Sequence, residues 1–317
     1  MEPLELLREI SSGKTLTADE TATAVAGMLS GEWGDVETAA LLATLAARGE
    51  TADELVGAAT ELRRRAAAVD LGDLRTLDTC GTGGDRRGTF NISTATALVV
   101  AACGVPVAKH GNRAASSHSG SADVLAELGV KVQNEPAATV RCLREVGIAF
   151  FFAPQWHQAV GKVGPVRKRL GFRTLFNLVG PLCNPARPAF QVLGVGRRRG
   201  DKLPATMAEA LKRLGVERGL VVSATDGLDE VTLDGLTEAY EVAAEGPVKR
   251  RLLAPQDFGL AAASANEWTV GSTSESAARI REVLGGAAGA CRDVVLANAA
   301  AALVVAGLAA DWKTGVA

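Results

Sequence analysis

The segment Leu77-Asp-Thr-Cys-Gly-Thr-Gly-Gly-Asp85 runs from an apolar stretch into three glycines, and the chemistry it suggests is anion capture. Consecutive backbone N–H groups in such a loop form a nest for phosphate oxygens, and glycine lets the phosphate approach the chain. The familiar fingerprints fail. Gly83 and Gly88 are followed by Thr89-Phe90 instead of a lysine and a hydroxyl, and Arg86 stands where G-x-G-x-x-G needs its last glycine. Alone, the loop is also an ordinary strand-to-helix turn.

Asn91-Ile-Ser-Thr94 follows, with three side chains able to bind phosphate oxygens or a metal-bound water; helix capping is the plainer use of the same residues. Lys109-His-Gly-Asn-Arg-Ala-Ala-Ser-Ser117 adds two cations, an amide and two hydroxyls. Gly120-Ser-Ala-Asp123 opens another helix, whose free N–H groups favour an anion. Three such junctions within about 45 residues, with Lys109 among them, point to a ligand carrying more than one phosphate. Further along, Asp226-Gly-Leu-Asp-Glu230 sets Asp229 beside Glu230. That pair is either a solvated acidic turn or a site for Mg2+, a hard cation that prefers oxygen ligands.

A basic segment runs from His157 through Lys162, Arg167, Lys168, Arg169 and Arg173 to Asn177, then Gly180-Pro-Leu-Cys-Asn-Pro185. Lys168 and Arg169 fit a solvated helix face. Arg167 is the candidate for a substrate carboxylate, which a guanidinium grips bidentately. All three histidines, His110, His118 and His157, fall in or beside these segments.

The elements that must position these residues have their own signatures. Thr17-Ala-Asp-Glu20 and Thr51-Ala-Asp-Glu54 are capping boxes, each followed by apolar residues at helical spacing. Asp35 opens a third helix, stopped at Gly49. From about residue 74 the rhythm changes: strands are expected at Leu74–Asp78, Val105–Ala108, Val192–Val195 and Gly219–Ser223, alternating with helices such as Ser93–Cys103 and Ala122–Leu128. That alternation predicts an α/β fold, a small helical N-terminal part followed by a mostly parallel sheet covered on both faces. Ligands bind such sheets at the carboxyl ends of the strands, where the glycines gather.

The whole-chain numbers agree. With 317 residues, 47% apolar and 22% charged, the chain is large enough for two domains and a sizeable core. A formal charge of −2 argues against a nucleic-acid or anionic-membrane binder. Five widely spaced cysteines without a C-x-x-C pair read as reduced thiols, and no leader or span is visible, so a soluble cytoplasmic protein is expected.

With these residues assembled, the chain resembles the anthranilate phosphoribosyltransferases of tryptophan biosynthesis over nearly its whole length. The resemblance rests on Gly81-Thr-Gly-Gly-Asp85, Asn91-Ile-Ser-Thr94, Lys109-His-Gly-Asn-Arg113, Ser117 with Gly120-Ser-Ala-Asp123, the Arg167 to Asn184 stretch, Asp229-Glu230 and Arg292-Asp-Val-Val-Leu-Ala-Asn298. It implies a helical domain over 1–72, joined by a returning segment near 160–190, and an α/β domain over 73–317. It also implies a cleft between the two, with Gly72 and the Gly161-to-Gly171 stretch as flexible points, and a homodimer through the helical domain. The reaction it implies transfers phosphoribose from phosphoribosyl pyrophosphate to the amino group of anthranilate, releasing pyrophosphate.

By the same resemblance, Gly81, Thr82, Gly83, Gly84, Asp85, Thr89, Asn91, Ser93, Thr94, Lys109 and Ser121 hold the phosphoribosyl pyrophosphate. Gly81, Asn112 and Arg167 receive anthranilate, with His110 and His157 lining its path. Two Mg2+ ions are implied, one shared by Ser93 and one by Asp229 and Glu230. Two departures stand out. Gln158 and Val160 replace the Pro and Met that the family commonly carries after this histidine, so an acceptor tunnel of altered shape is expected. The chain also stops at Trp312-Lys-Thr-Gly-Val-Ala317, some twenty residues early, so a terminal helix is expected to be missing. The competing readings are a phosphoribosyltransferase or phosphorylase for another aromatic amine or base, and a non-catalytic nucleic-acid-binding relative.

Overall fold

In the computed structural model of the chain, residues 2–85, 87–114, 119–196 and 201–317 are described. Arg86, Ser117 and His118, named above, lie outside them. The N-terminal part is four helices: α1 (Pro3–Ser11), α2 (Ala18–Ser30), α3 (Asp35–Arg48) and α4 (Ala52–Arg65). Both expected capping boxes close, Thr17 with Glu20 and Thr51 with Glu54. Glu54 does more than cap. Its buried carboxylate also accepts from the Leu16 N–H at 3.0 Å and from Arg48, tying α4 to the loop ahead of α2 and to α3.

The remainder runs β1 (Leu77–Thr79), α5 (Ile92–Ala102), β2 (Val107–Gly111), α6 (Ser121–Glu127), α7 (Pro136–Val146), β3 (Ile148–Phe152), α8 (Ala153–Trp156), α9 (Gly164–Leu170), α10 (Leu175–Leu178), β4 (Phe190–Gly194), α11 (Leu203–Arg213), β5 (Arg218–Ala224), β6 (Thr237–Ala243), β7 (Lys249–Leu253), α12 (Thr273–Leu284), α13 (Ala290–Ala306) and α14 (Trp312–Val316). Among the described residues, seven strands form one sheet in the order β3-β2-β1-β4-β5-β6-β7. The pairs from β3 to β5 are parallel, and β6 and β7 add an antiparallel edge. This is the expected helical part plus a mostly parallel α/β sheet. Strand order reverses where β1 lies between β2 and β4, the kind of crevice where open α/β sheets bind ligands.

Alternation along β4 assigns each face its own core. Val192 packs with Leu77, Val107, Leu220 and the helices α5, α12 and α13 on one side. The next residue, Leu193, faces the other side with Val221, helix α11 and the helical-part residues Leu41, Leu55 and Leu62. Val163, Leu175 and Leu178 from the 160–190 segment belong to this second core, so that segment packs against the N-terminal helices as well as following β3.

The strand boundaries move. The expected strand at Leu74–Asp78 is Leu77–Thr79, and the one at Val105–Ala108 becomes Val107–Gly111. Lys109 and His110 are therefore strand residues, not loop residues. Parallel pairing to β3 across Lys109↔Phe150 and His110↔Phe151 holds them there. Strands β3, β6 and β7 lie outside the segments read as strands from sequence.

Candidate active site

Residues of the glycine loop and of the Asn91–Thr94 segment meet at the carboxyl end of β1, with Lys109 of β2 between them. Lys109 is buried, and its Nζ donates to the Thr79 carbonyl at 2.7 Å and reaches Ser93 Oγ at 3.4 Å. Thr79 Oγ1 donates in turn to the Ser93 carbonyl at 3.0 Å. The glycine loop leaves β1 with Gly83 at φ 63° and Gly84 at φ 78°, a left-handed backbone that a side chain would strain. Its partner across the crevice is the acidic loop, whose Asp229 Oδ2 accepts the Gly83 N–H at 2.8 Å. Glu230 Oε1 accepts the Ser93 N–H at 3.1 Å. A cavity of about 10 Å3, the size of one water or ion, lies between Thr79, Gly81, Ser93, Glu230 and Asn298.

Closeness at this point depends on two glycines. A Cβ on Gly81 would sit 2.6 Å from Asp229 Oδ2, and one on Gly194 would sit 1.7 Å from the Asp229 carbonyl. Gly194, at the end of β4, carried no signal in the sequence beyond being a glycine at a strand end. Asn298 fixes the acidic loop from behind: its amide Nδ2 donates to the Val231 carbonyl and its Oδ1 accepts the Val231 N–H, both at 2.9 Å.

The electrostatics are those of crowded acids. Burial, reinforced by Asp85, pushes the Asp229 carboxyl upward, and burial reinforced by Asp229 does the same to Glu230. Burial also raises Asp85, whose Oδ2 is buried without a hydrogen-bond partner. Lys109 and Arg173 offset part of this, lowering Glu230 and Asp229 respectively. Glu230 lines the ion-sized cavity, and Asp229 and Asp85 crowd beside it without lining it; clustered desolvated carboxylates are a donor set suited to a hard divalent cation such as Mg2+.

Three sequence readings need correction. The Gly83 amide, read as part of a phosphate nest, is held by Asp229, and the Ser93 amide is likewise held, by Glu230. At the third junction, Asp123 caps its own helix, accepting from Gly120 N–H at 3.1 Å and Ala114 N–H at 2.8 Å, so a carboxylate already occupies that end. Asn91 makes no side-chain cap; its Oδ1 accepts from Ser276 Oγ at 2.8 Å and its Nδ2 donates to the Ser119 carbonyl at 3.2 Å.

The other candidates divide. Thr82 lies on the crevice, its N–H donating to the Gly194 carbonyl at 2.8 Å and its Oγ1 accepting from Gly196 N–H at 3.2 Å. Thr89 pairs instead with Thr269 in an isolated bridge. Thr94 is buried inside α5 with its hydroxyl unpartnered. Asn112 is exposed, and Ser121 Oγ donates to its carbonyl at 3.3 Å. Arg167 is half-buried on α9, its guanidinium 5.6 Å from the Phe176 ring centroid and its Nε unpartnered, whereas Lys168 and Arg169 are exposed as expected.

A second polar group lies on the opposite face of β2. His110 and His157 are buried, with ring centroids 5.4 Å apart in an edge-on arrangement. Burial pushes His110 down to about 3 and His157 to about 4, so both rings are neutral at neutral pH. Asp78, not singled out from sequence, accepts the His110 N–H at 3.2 Å and the Asn184 amide at 2.8 Å. Burial raises Asp78 to about 6. The signal was present as a carboxylate inside an apolar strand, a position that requires built-in partners.

Both parts of the chain match known proteins. The helical bundle domain of the glycosyl transferase family matches residues 4–66, and the a/b domain of that family matches residues 73–317. These define the class: a two-part glycosyl transferase with a helical bundle domain and an a/b domain. The anthranilate phosphoribosyltransferase of Azorhizobium caulinodans is 47% identical over 98% of this chain and 89% of its own length. That of Desulfatibacillum aliphaticivorans is 46% identical over 99% and 91%. The crystal structure of the Thermus thermophilus enzyme superposes with a TM-score of 0.91 at 40% identity, covering 100% of this chain and 92% of that one. The Saccharomyces cerevisiae enzyme in complex with phosphoribosyl pyrophosphate and Mg gives 0.89 at 26% identity, covering 99% and 91%. The chain belongs to the anthranilate phosphoribosyltransferase family.

Proposed function

We propose that this chain transfers the phosphoribosyl group of phosphoribosyl pyrophosphate to the amino group of anthranilate, releasing pyrophosphate and forming N-(5-phosphoribosyl)anthranilate, a step of tryptophan biosynthesis. The observation that carries this reading is the convergence of the glycine loop, Ser93 and Lys109 with Asp229 and Glu230 at the strand-order reversal. Its similarity to relatives solved with phosphoribosyl pyrophosphate and Mg, and with 4-fluoroanthranilate, supports the same assignment.

The carbon–oxygen bond to pyrophosphate breaks as the aryl amine forms its bond to the anomeric carbon, and the amine then loses a proton. Charge therefore develops on the leaving pyrophosphate. Lys109 and the amides of Gly83, Gly84 and Ser93 are the groups of this chain that meet it. Asp85, Asp229, Glu230 and the Ser93 hydroxyl would hold Mg2+ at two sites, and Mg2+ when bound neutralises the pyrophosphate charge. Were Asp229 and Glu230 to hold Mg2+, the Gly83 and Ser93 amides they now accept would be free to donate to phosphate oxygens, the competing acceptors. Gly81, Thr82, Thr89, Asn91, Thr94 and Ser121 complete the sugar-phosphate side.

Anthranilate approaches from the side of the 160–190 segment, with Arg167 taking its carboxylate and Asn112 and Gly81 at the junction. His110 and His157 shape the path. As weak, neutral bases they orient the acceptor and do not carry its proton, which passes to the pyrophosphate or to water. Positioning two substrates in one cleft supplies much of the remaining barrier reduction. The functional units are residues 1–72 with the returning segment, and 73–317. Exposed Leu4 and Val36 on α1 and α3 suit a homodimer through the helical part. The chain is expected to work in the cytoplasm.

The test is direct: protein, phosphoribosyl pyrophosphate, Mg2+ and anthranilate are mixed, and loss of anthranilate fluorescence is followed with pyrophosphate release. Folded protein that turns over neither substrate would overturn the proposal. Turnover of a different aromatic amine in a substrate panel would redirect it.

A further inference from the structure

His110, His157 and Cys183 lie together under the junction of the two parts of the chain. Their ligating atoms, one per residue, all fall within 4.8 Å of one another, and all three residues are buried. They come from separate places: His110 from β2, His157 from the turn after α8, and Cys183 from the turn that follows Gly180. We propose that this His-His-Cys cluster is a binding site for a borderline-soft divalent cation, Zn2+ or Co2+, distinct from the Mg2+ site on the other face of β2.

The geometry sets up donors instead of burying them inertly. The Gly180 carbonyl lies 3.0 Å from His110 Nδ1, so that nitrogen carries the proton and donates. The lone pair is thereby fixed on His110 Nε2, which is buried with no hydrogen-bond partner. A hydrogen bond on the far side of an imidazole is how proteins orient the ring toward a metal. Neither ring nitrogen of His157 makes a well-formed hydrogen bond, although the Leu62 and Cys183 carbonyls lie close enough to favour its charged form; a cation would compete with them for the ring. Cys183 Sγ donates to the same Gly180 carbonyl at 3.2 Å, so one backbone group aligns two of the donors.

Ligand type and charge agree. Two neutral imidazoles and one thiolate match zinc and cobalt and do not suit a hard cation such as Mg2+. Tetrahedral zinc, with nitrogen at about 2.0 Å and sulfur at about 2.3 Å, holds two nitrogens and one sulfur roughly 3.3–3.5 Å apart. Side-chain movements of about 1 Å therefore close the cluster. Binding displaces the Cys183 proton to solvent and leaves one excess positive charge. Asp78, joined to His110 N–H and to Asn184, supplies a nearby carboxylate to offset it, while Arg63 beside Cys183 favours the thiolate and, with Lys109, opposes further positive charge. Three protein ligands leave the fourth position open.

The consequence for activity rests on the function proposed above. If His110 and His157 line the acceptor path, a cation there blocks anthranilate and not phosphoribosyl pyrophosphate. Zn2+ then acts as an acceptor-competitive inhibitor even with Mg2+ in excess.

The experiment uses the full chain with saturating Mg2+. Co2+ is titrated into the parent protein and into Cys183→Ser and Cys183→Ala, and the thiolate-to-cobalt charge-transfer band is recorded. Melting curves confirm that each variant is folded. The expected result is one equivalent of cobalt giving a charge-transfer band in the parent and none in either variant, with Zn2+ displacing it. In parallel, Zn2+ inhibition should be competitive with anthranilate and should weaken by about tenfold or more in the variants, at least the loss that follows removal of a supporting partner. A parent without the band, or variants that keep it, would overturn the site. Equal Zn2+ sensitivity of parent and variants, or competition with phosphoribosyl pyrophosphate, would overturn its role in inhibition. An enzyme inactive on anthranilate that still shows the band leaves the metal site standing and rejects the transfer reading alone.

Discussion

At the scale of single residues, the site pairs the amides of the glycine loop and of α5 with the carboxylates of the acidic loop. Asp229 and Glu230 accept the amides of Gly83 and Ser93, so their removal acts on metal and phosphate more than on acceptor. Asp229→Asn with Glu230→Gln is expected to raise the Mg2+ concentration for half-maximal activity by about tenfold or more, the scale of one lost charged ligand or its support. The KM for anthranilate should stay near the parent value. A fallen anthranilate affinity with an unchanged metal response would reverse the assignment. Arg167 makes the opposite prediction. Its guanidinium lies near the Phe176 ring with Nε unpartnered, an arginine with a free edge. Arg167→Ala should raise the anthranilate KM by roughly tenfold to a hundredfold, the worth of a charge-assisted pair. Steady-state kinetics with anthranilate varied would show it, and an unchanged KM would return Arg167 to a packing role.

At the scale of elements, the acidic loop is placed by the end of β4. No side chain fits between Gly194 and the Asp229 carbonyl, so Gly194→Ala must move one backbone or the other. We expect a loss of stability of about 1–3 kcal/mol, the usual effect of overpacking, together with a raised Mg2+ requirement. Chemical denaturation and a Mg2+ titration of the same variant test the two halves. A stable variant with normal metal response would mean the loop is held by Asn298 alone. Helix ends follow the same logic more simply: the two Thr-x-x-Glu boxes and the stop at Gly49 after α3 were readable because capping is a local hydrogen-bond pattern. The short parallel strands were read less well. Their ends depend on pairing with neighbours, which is why β2 extends through Lys109 and His110 to match β3.

At the scale of the whole molecule, charge burial links stability to pH and to metal. Asp85, Asp229 and Glu230 have raised folded pKa values, so the folded state holds protons that the unfolded state has released. Their contribution is full below the ordinary carboxylate range and is lost as pH rises through the raised values. His110 and His157 are depressed instead, so their contribution is full above the ordinary value of 6.5 and is lost as pH falls toward about 4 and about 3. On the proposed metal assignment, Mg2+ relieves the carboxylates and leaves the histidines unchanged. The rise in Tm on adding Mg2+ and phosphoribosyl pyrophosphate should therefore grow from mildly acidic to mildly alkaline pH. A pH-independent shift, measured by scanning calorimetry, would show that these carboxylates do not bind the metal.

The local patterns were legible in the residues alone: capped helices at Thr17 and Thr51, glycines at the end of β1, a paired acid at Asp229-Glu230, and the strand–helix alternation of an α/β sheet. Each depends on residues within a few positions of one another, where spacing alone dictates geometry. Which groups meet is a matter of tertiary structure. It set Glu230 against Ser93 and Asp229 against Gly83, 137 and 146 residues apart. It also placed Asp78 behind His110 and closed His110, His157 and Cys183 into one cluster. Those contacts follow from strand order and from the alternation along each β-strand, which sends Lys109 to one face and His110 to the other. Such long-range register leaves no mark on any short stretch of chain.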